Sequence, residues 1–316
     1  MNSTEKNLSF PYPFSDRDVY RYSNNAIPLN PPIAIELTEY YLDEIHLKRK
    51  LLSNHPERCY YASPFTMESQ WEVLDLILHH LAICYPEKFK LAEKSNQWVF
   101  TNLLTGEEET FIFGDQTTLQ LDPLDFVGRH VQEDLILMMQ RDGDLFLDAG
   151  QLCFPANWSL FFDAGMSFKE IHKPIPGFQS DSLDDRILQF LMRLEAGSPW
   201  WRKNWSLMAG NRLDTSLETF AEWGQDRKKV TKENVGEFVH IRVEVQKLFR
   251  LPKNNGILFT IHSHMLPLEK FIQHTPWLEQ FSAILHELPS FIADYKGISL
   301  YRDVVLEYLE DELEKR

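Results

Sequence analysis

The stretch "LILMMQRDGDLFLDAGQLCFP", residues 135–155, is two apolar runs hinged on Asp142-Gly143. An aspartate-glycine pair tolerates positive φ at both central positions of a two-residue turn, the twist that lets antiparallel strands meet. The segment therefore predicts a β-hairpin. Upstream, "QWVFTNLLTGEEETFIF" (97–113) predicts a second hairpin of aromatic-rich strands around Thr105-Gly106. Downstream, "RKNWSLMA" (202–209), "EFVHIRVEVQ" (237–246) and "GILFTIHSH" (256–264) are three further strand candidates.

Helical spacing surrounds these strands. Leu37, Tyr41, Ile45 and Leu52 mark a helix from Ile33 to Leu52. Ser63-Pro64 offers an N-cap and a first-turn proline for a helix reaching about Ile83. Another helix is expected from Asp122 to about Glu133. Ser167 can cap the short "FKEIH" (168–172), which Pro174 and Pro176 end, and residues 182–195 read as helical. From Pro267 to Arg316 the pattern is helical again. Helices, an antiparallel sheet, then helices, with no repeating βαβ unit, give an α+β class. Residues 1–32, rich in Pro, Asn and Ser, are expected to lie extended over the surface. That leaves 33–316 as a single domain with C-terminal helices from about 267.

Composition narrows the function. With 47 acidic and 32 basic residues the net charge is −15, a field that repels a phosphate backbone and argues against nucleic-acid binding. Cys59, Cys84 and Cys153 form no CxxC or CxxCH, which excludes a disulfide framework, an iron–sulfur cluster and covalently attached haem. They suit a reducing, cytoplasmic compartment. The start lacks the basic and apolar regions of a signal peptide, and no apolar run nears the roughly 20 residues that span a bilayer. No GxGxxG, GxxxxGK[ST], HExxH or GxSxG occurs, so the chain shows no nicotinamide, flavin or nucleotide motif of its own.

Three places carry candidate chemistry. In "FVHIRVEVQ", Val239, Ile241, Val243 and Val245 share one strand face; Phe238, His240, Arg242, Glu244 and Gln246 share the other. That polar face is either solvated or the wall of a polar pocket. In "ILFTIHSH", His262 and His264 share a face and, with Glu244 across the sheet, would make a two-histidine-one-carboxylate metal site. His172 ends a short helix beside Phe154, Trp158, Phe161, Phe162 and Phe168, and reads either as a structural cap or as a ligand.

In order, "DGDLFLDAGQLCFPANW", "IHKPIPG", "RKNW" and "RVEVQKLFRLPKNNGILFTI" resemble the α subunit of haem-dependent oxidative N-demethylase and its relatives. The resemblance spans roughly residues 30–290, with the specific motifs between Asp142 and Ile261. It implies a PAS-like fold, an antiparallel sheet with flanking helices that holds haem b. It implies that His172 is the axial iron ligand, and that Arg202, Asn204 and Trp205 line the cofactor, with Arg202 a propionate partner unless it forms a surface salt bridge. It also implies that Glu244, with Arg242 two residues before it, binds the ammonium of a small methylated amine. Molecular oxygen would be the oxidant and a separate flavin and iron–sulfur protein the electron donor of this monooxygenase-type demethylation. A non-catalytic haem sensor or carrier is the alternative. The sequence departs from the family pattern in having Val245 where an arginine follows the glutamate, and Lys247 where a threonine is usual.

Overall fold

The computed structural model describes residues 10–15, 25–178 and 182–316. Its strands are β1 (Ile27–Pro28), β2 (Tyr60–Ala62), β3 (Phe89–Lys94), β4 (Gln97–Asn102), β5 (Glu107–Ile112), β6 (Asp134–Arg141), β7 (Asp144–Gln151), β8 (Trp200–Ala209), β9 (Val239–Arg250) and β10 (Ile257–Pro267). Seven of them form one antiparallel sheet in the order β1-β8-β9-β10-β6-β7-β2; β3-β4-β5 form a smaller one. The architecture is α+β.

Both predicted hairpins form. β6 and β7 meet across Asp142 and Gly143, at φ 52° and 77°, the positive values that the aspartate-glycine pair allows. β4 and β5 meet around Thr105-Gly106, and β3, "FKLAEK", adds a strand that was not anticipated.

Two helices are shorter than their periodicity suggests, for the same physical reason. The first runs from Tyr41 to Asn54, not from Ile33. The amides of Glu36 and Thr38 donate to the Glu133 and Gln132 side chains, 2.9 Å each, which holds that stretch out of a helical ladder. The second runs only from Pro123 to Gly128. Beyond it, buried Lys48 gathers the carbonyls of Gly128, Val131 and Glu133, which a longer helix would have used internally. The helix Met67–Cys84 follows a short 3-10 turn at Pro64–Thr66.

Helices cover both faces of the large sheet. On one face, the helices Tyr41–Asn54 and Met67–Cys84 and the small sheet pack on Leu135, Leu137, Leu258 and Phe249. Beside them, the C-terminal helices Thr275–Glu287, Ser290–Tyr295 and Arg302–Glu314 pack on Leu207, Val239, Ile241 and Val243. On the other face, the segment 160–172 and the helix Leu183–Met192 pack on Ile136, Leu248, Ile257 and Ile261. The N-terminal residues do more than lie on the surface. Phe10, Tyr12 and Phe14 pack among Phe271, Trp277 and Phe281, with Tyr12 and Trp277 stacked at 4.6 Å, and Ile27–Pro28 adds the edge strand β1. Residues 1–9 and 16–24 of that expected segment lie outside the described ones. Among the described residues no helix is long and apolar enough to cross a membrane.

Candidate functional site

Register decides which polar side chains meet. Paired residues of antiparallel strands point to the same face, and Arg202 pairs with Gln246, Asn204 with Glu244 and Ser206 with Arg242. Glu244 pairs in turn with Ser263 of β10. Arg202, Asn204, Arg242, Glu244, Gln246 and Ser263 therefore share one face. It is the face over which the helix Phe168–His172 lies, since Ile171 packs with Ile136, Leu147 and Ile261. The polar side of β9 is thus enclosed: Arg242 is 0% and Glu244 6% exposed.

Glu244 is held from three sides. The Asn204 carboxamide donates to it at 3.3 Å and the Gln246 carboxamide at 3.0 Å, while Arg242 Nε stands 3.6 Å away. Arg242 itself is occupied. It donates to the carbonyls of Leu213 and Phe154 and to Ser263 Oγ, at 2.8, 2.5 and 2.8 Å. With its other donors spent on backbone and serine, Arg242 positions Glu244 and ties the Phe154 and Leu213 loops to the sheet.

His172 ends a helix whose start is fixed by a reciprocal Ser167–Glu170 capping box. Its Nδ1 donates to the Phe168 carbonyl at 2.8 Å, which leaves Nε2 as the ring's lone-pair atom. The imidazole lies 4.3 Å from the Phe168 ring and stacks on Phe178 at 5.0 Å. Burial pushes its pKa down to about 4, and the positive charge of Arg202 pushes the same way. The ring is neutral at neutral pH. A neutral imidazole whose second nitrogen is anchored to a carbonyl is the form in which histidine ligates iron.

Lys296 is a member of this neighbourhood that no sequence pattern marked. It follows the helix Ser290–Tyr295 and donates to the Trp205 carbonyl at 2.6 Å, on the part of β8 that short β1 leaves uncovered. Its ammonium lies over the Trp205 ring at 4.9 Å. Burial lowers its pKa to about 8, while Glu244 pulls it up and Arg202 pushes it down, so these two cations and one carboxylate sense one another. Gln246, grouped by sequence with the polar face of β9 only, is a direct partner of Glu244.

Two expectations are corrected. Trp205 pairs with Val243, so its side chain leaves the Glu244 face and packs on Phe14 and Phe281 at 5.3 and 5.6 Å. Alternation along β8 makes this unavoidable once Asn204 faces the other way. His262 and His264 pair with Val245 and Val243 and also stand on the face opposite Glu244. The metal site proposed from these three residues cannot assemble. His262 instead has Glu133 at 3.5 Å and Glu44 at 4.0 Å, and among the described residues no three His, Cys, Asp or Glu gather to hold a metal ion.

The donor set on the Glu244 face fits a haem: an imidazole for iron, an apolar wall from Trp158, Ile171, Phe259 and Ile261, and the cation Arg202 for a carboxylate group. A family model described as "Haem-dependent oxidative N-demethylase, alpha subunit-like" matches residues 27–306.

Proposed function

The chain belongs to this haem-dependent oxidative N-demethylase, alpha subunit-like family, and from that membership we propose that it binds haem b on the Glu244 face and oxidatively demethylates a small methylated amine. The antiparallel sheet with helices over both faces supports a PAS-like reading of residues 33–316 as one domain. The observation that carries the proposal is the convergence, on one sheet face, of the carbonyl-anchored neutral His172 and the clamped carboxylate of Glu244.

Haem held there would supply the activation of molecular oxygen, which no side chain provides. The chain's own residues do the rest. His172 would hold the iron through Nε2. Arg202 would pair with a haem carboxylate. Glu244 binds the substrate ammonium, and with two charges in a water-poor site the attraction is strong enough to orient the methyl group. Asn204, Gln246 and Arg242 keep the carboxylate from rotating away. The oxidised methyl leaves as formaldehyde with the shortened amine. Val245, where relatives carry arginine, pairs with Lys203 and His262 and so stands on the opposite face. That substitution therefore does not touch the face that carries Glu244. Electrons come from a separate flavin and iron–sulfur protein. The free thiols Cys59, Cys84 and Cys153 suit a cytoplasmic location.

The test is turnover. Haem-loaded protein, reduced and supplied with oxygen and a series of secondary and tertiary methylamines, should release formaldehyde. Glu244→Gln should lose that activity and keep its haem absorption. Undiminished turnover in Glu244→Gln removes this residue from the reaction. A loaded protein that yields no formaldehyde from any amine favours a sensor or carrier.

A further inference from the structure

A groove lies at the Trp200 end of β8. Its volume is about 380 Å³ and it is lined by Arg186, Gln189, Phe190, Arg193, Leu194 and Trp200. That volume falls at the small end of the range for ligand sites, on the order of 300–1,000 Å³. Phe190 and Trp200 form its apolar wall, edge to face at 5.0 Å and 84°. Arg186 lies on the helix Leu183–Met192 and Arg193 is the residue that caps its C-terminal end, and both guanidinium-bearing side chains line the groove. Among the described residues neither guanidinium has an ion-pair or hydrogen-bond partner, although the chain carries 47 acidic residues. The negative pole of this helix end is also offset. Buried Arg250 donates to the carbonyls of Leu191 and Leu194 at 2.8 and 3.0 Å, which adds a third positive charge behind the groove.

We propose that this groove binds a planar ring bearing a phosphate, of the mononucleotide or flavin-phosphate class. The ring lies against Trp200 and Phe190; the phosphate takes paired N–H bonds from Arg186 or Arg193, whose forked guanidinium matches phosphate oxygens. Gln189 supplies a donor and an acceptor at the rim for ring heteroatoms. A purely electrostatic surface would not need the aromatic wall, and a purely apolar groove would not leave two arginines unpaired in an acidic protein. The proposal is independent of haem binding and of the amine reaction.

The probes are AMP and flavin mononucleotide, titrated calorimetrically into the full chain, with pyrophosphate as the ring-less control. Saturable binding is expected, weakening with salt, at least tenfold tighter than pyrophosphate, and reduced at least tenfold in Arg186→Ala/Arg193→Ala and in Trp200→Leu. The two arginines are exposed, so the double variant should keep the wild-type melting temperature. Three results overturn the proposal: no saturable binding of either probe at millimolar concentration, affinity unchanged in the arginine double variant, or pyrophosphate binding as tightly as the ringed probes. A polyglutamate peptide that binds in their place also overturns it, in favour of an acidic protein partner.

Discussion

Arg242→Met keeps most of the stem volume of a side chain buried to 0% exposure and removes only its head. The loss can be worked from what the head touches. Two backbone carbonyls, of Phe154 and Leu213, and Ser263 Oγ lose a charged donor. Glu244, 6% exposed, keeps its two carboxamide donors but loses the cation 3.6 Å away. Removing one member of such a buried pair costs about 3–5 kcal/mol, because the surviving charge stays desolvated. Neutralising that charge too should restore part of the loss, so Arg242→Met/Glu244→Gln is expected to be more stable than Arg242→Met by about 1 kcal/mol or more. Urea denaturation followed by tryptophan fluorescence measures Arg242→Met, Glu244→Gln and the double variant, with no cofactor required. A loss below about 1 kcal/mol in Arg242→Met, or strictly additive effects in the double variant, refutes the clamp.

Further outcomes follow from the same geometry. Trp205→Ala should cost about 2–4 kcal/mol, somewhat under a fully buried tryptophan, by emptying the packing against Phe14 and Phe281; its haem absorption should match wild type, and a displaced Soret band returns Trp205 to the cofactor face. Acid should destabilise the fold early. Burial lowers His130 and His264 to about 3 and His172 to about 4 from 6.5, so the unfolded chain takes up protons that the folded one refuses. Stability therefore falls as pH drops from 6.5 towards 4, and Glu133, depressed to about 2 largely by His262, extends the loss below 4.5. His262, raised by Glu133 and Glu44 despite burial, works in the other direction: its contribution is complete below 6.5 and disappears as pH rises through its folded value. Urea midpoints between pH 4 and 8 check this, and His264→Gln should flatten the acid limb; a profile level from pH 6.5 to 4 contradicts it.

Turn chemistry and alternation made the hairpins and the faces of single strands legible in the sequence. Asp142-Gly143 announces its own turn, and "HIRVEVQ" separates Arg242, Glu244 and Gln246 from the valines without further information. What one strand cannot encode is its offset against the next. His262 belongs opposite Val245 and not Glu244 because of a register set by the whole β9–β10 ladder, and a shift of one residue would have reversed the answer. Trp205 was misplaced differently: reading "RKNW" as a unit overrode the alternation that puts neighbours on opposite faces. One helix start and one helix end differ because side chains took over backbone bonding: Glu133 and Gln132 accept from the amides of Glu36 and Thr38, and Lys48 takes the carbonyls of Gly128, Val131 and Glu133. Lys296 comes within electrostatic range of Glu244 from a segment 52 positions further along the chain, and nothing in its surrounding pattern points there.

The most direct measurement is the absorption spectrum of the purified chain after haem supplementation, taken for wild type and His172→Ala. Wild type should show a Soret band of a histidine-ligated haem. His172→Ala should lose or shift that band, and added imidazole should restore it by supplying the missing nitrogen. A wild-type chain with no Soret band, or a His172→Ala spectrum identical to wild type, contradicts the assignment of His172 as the iron ligand.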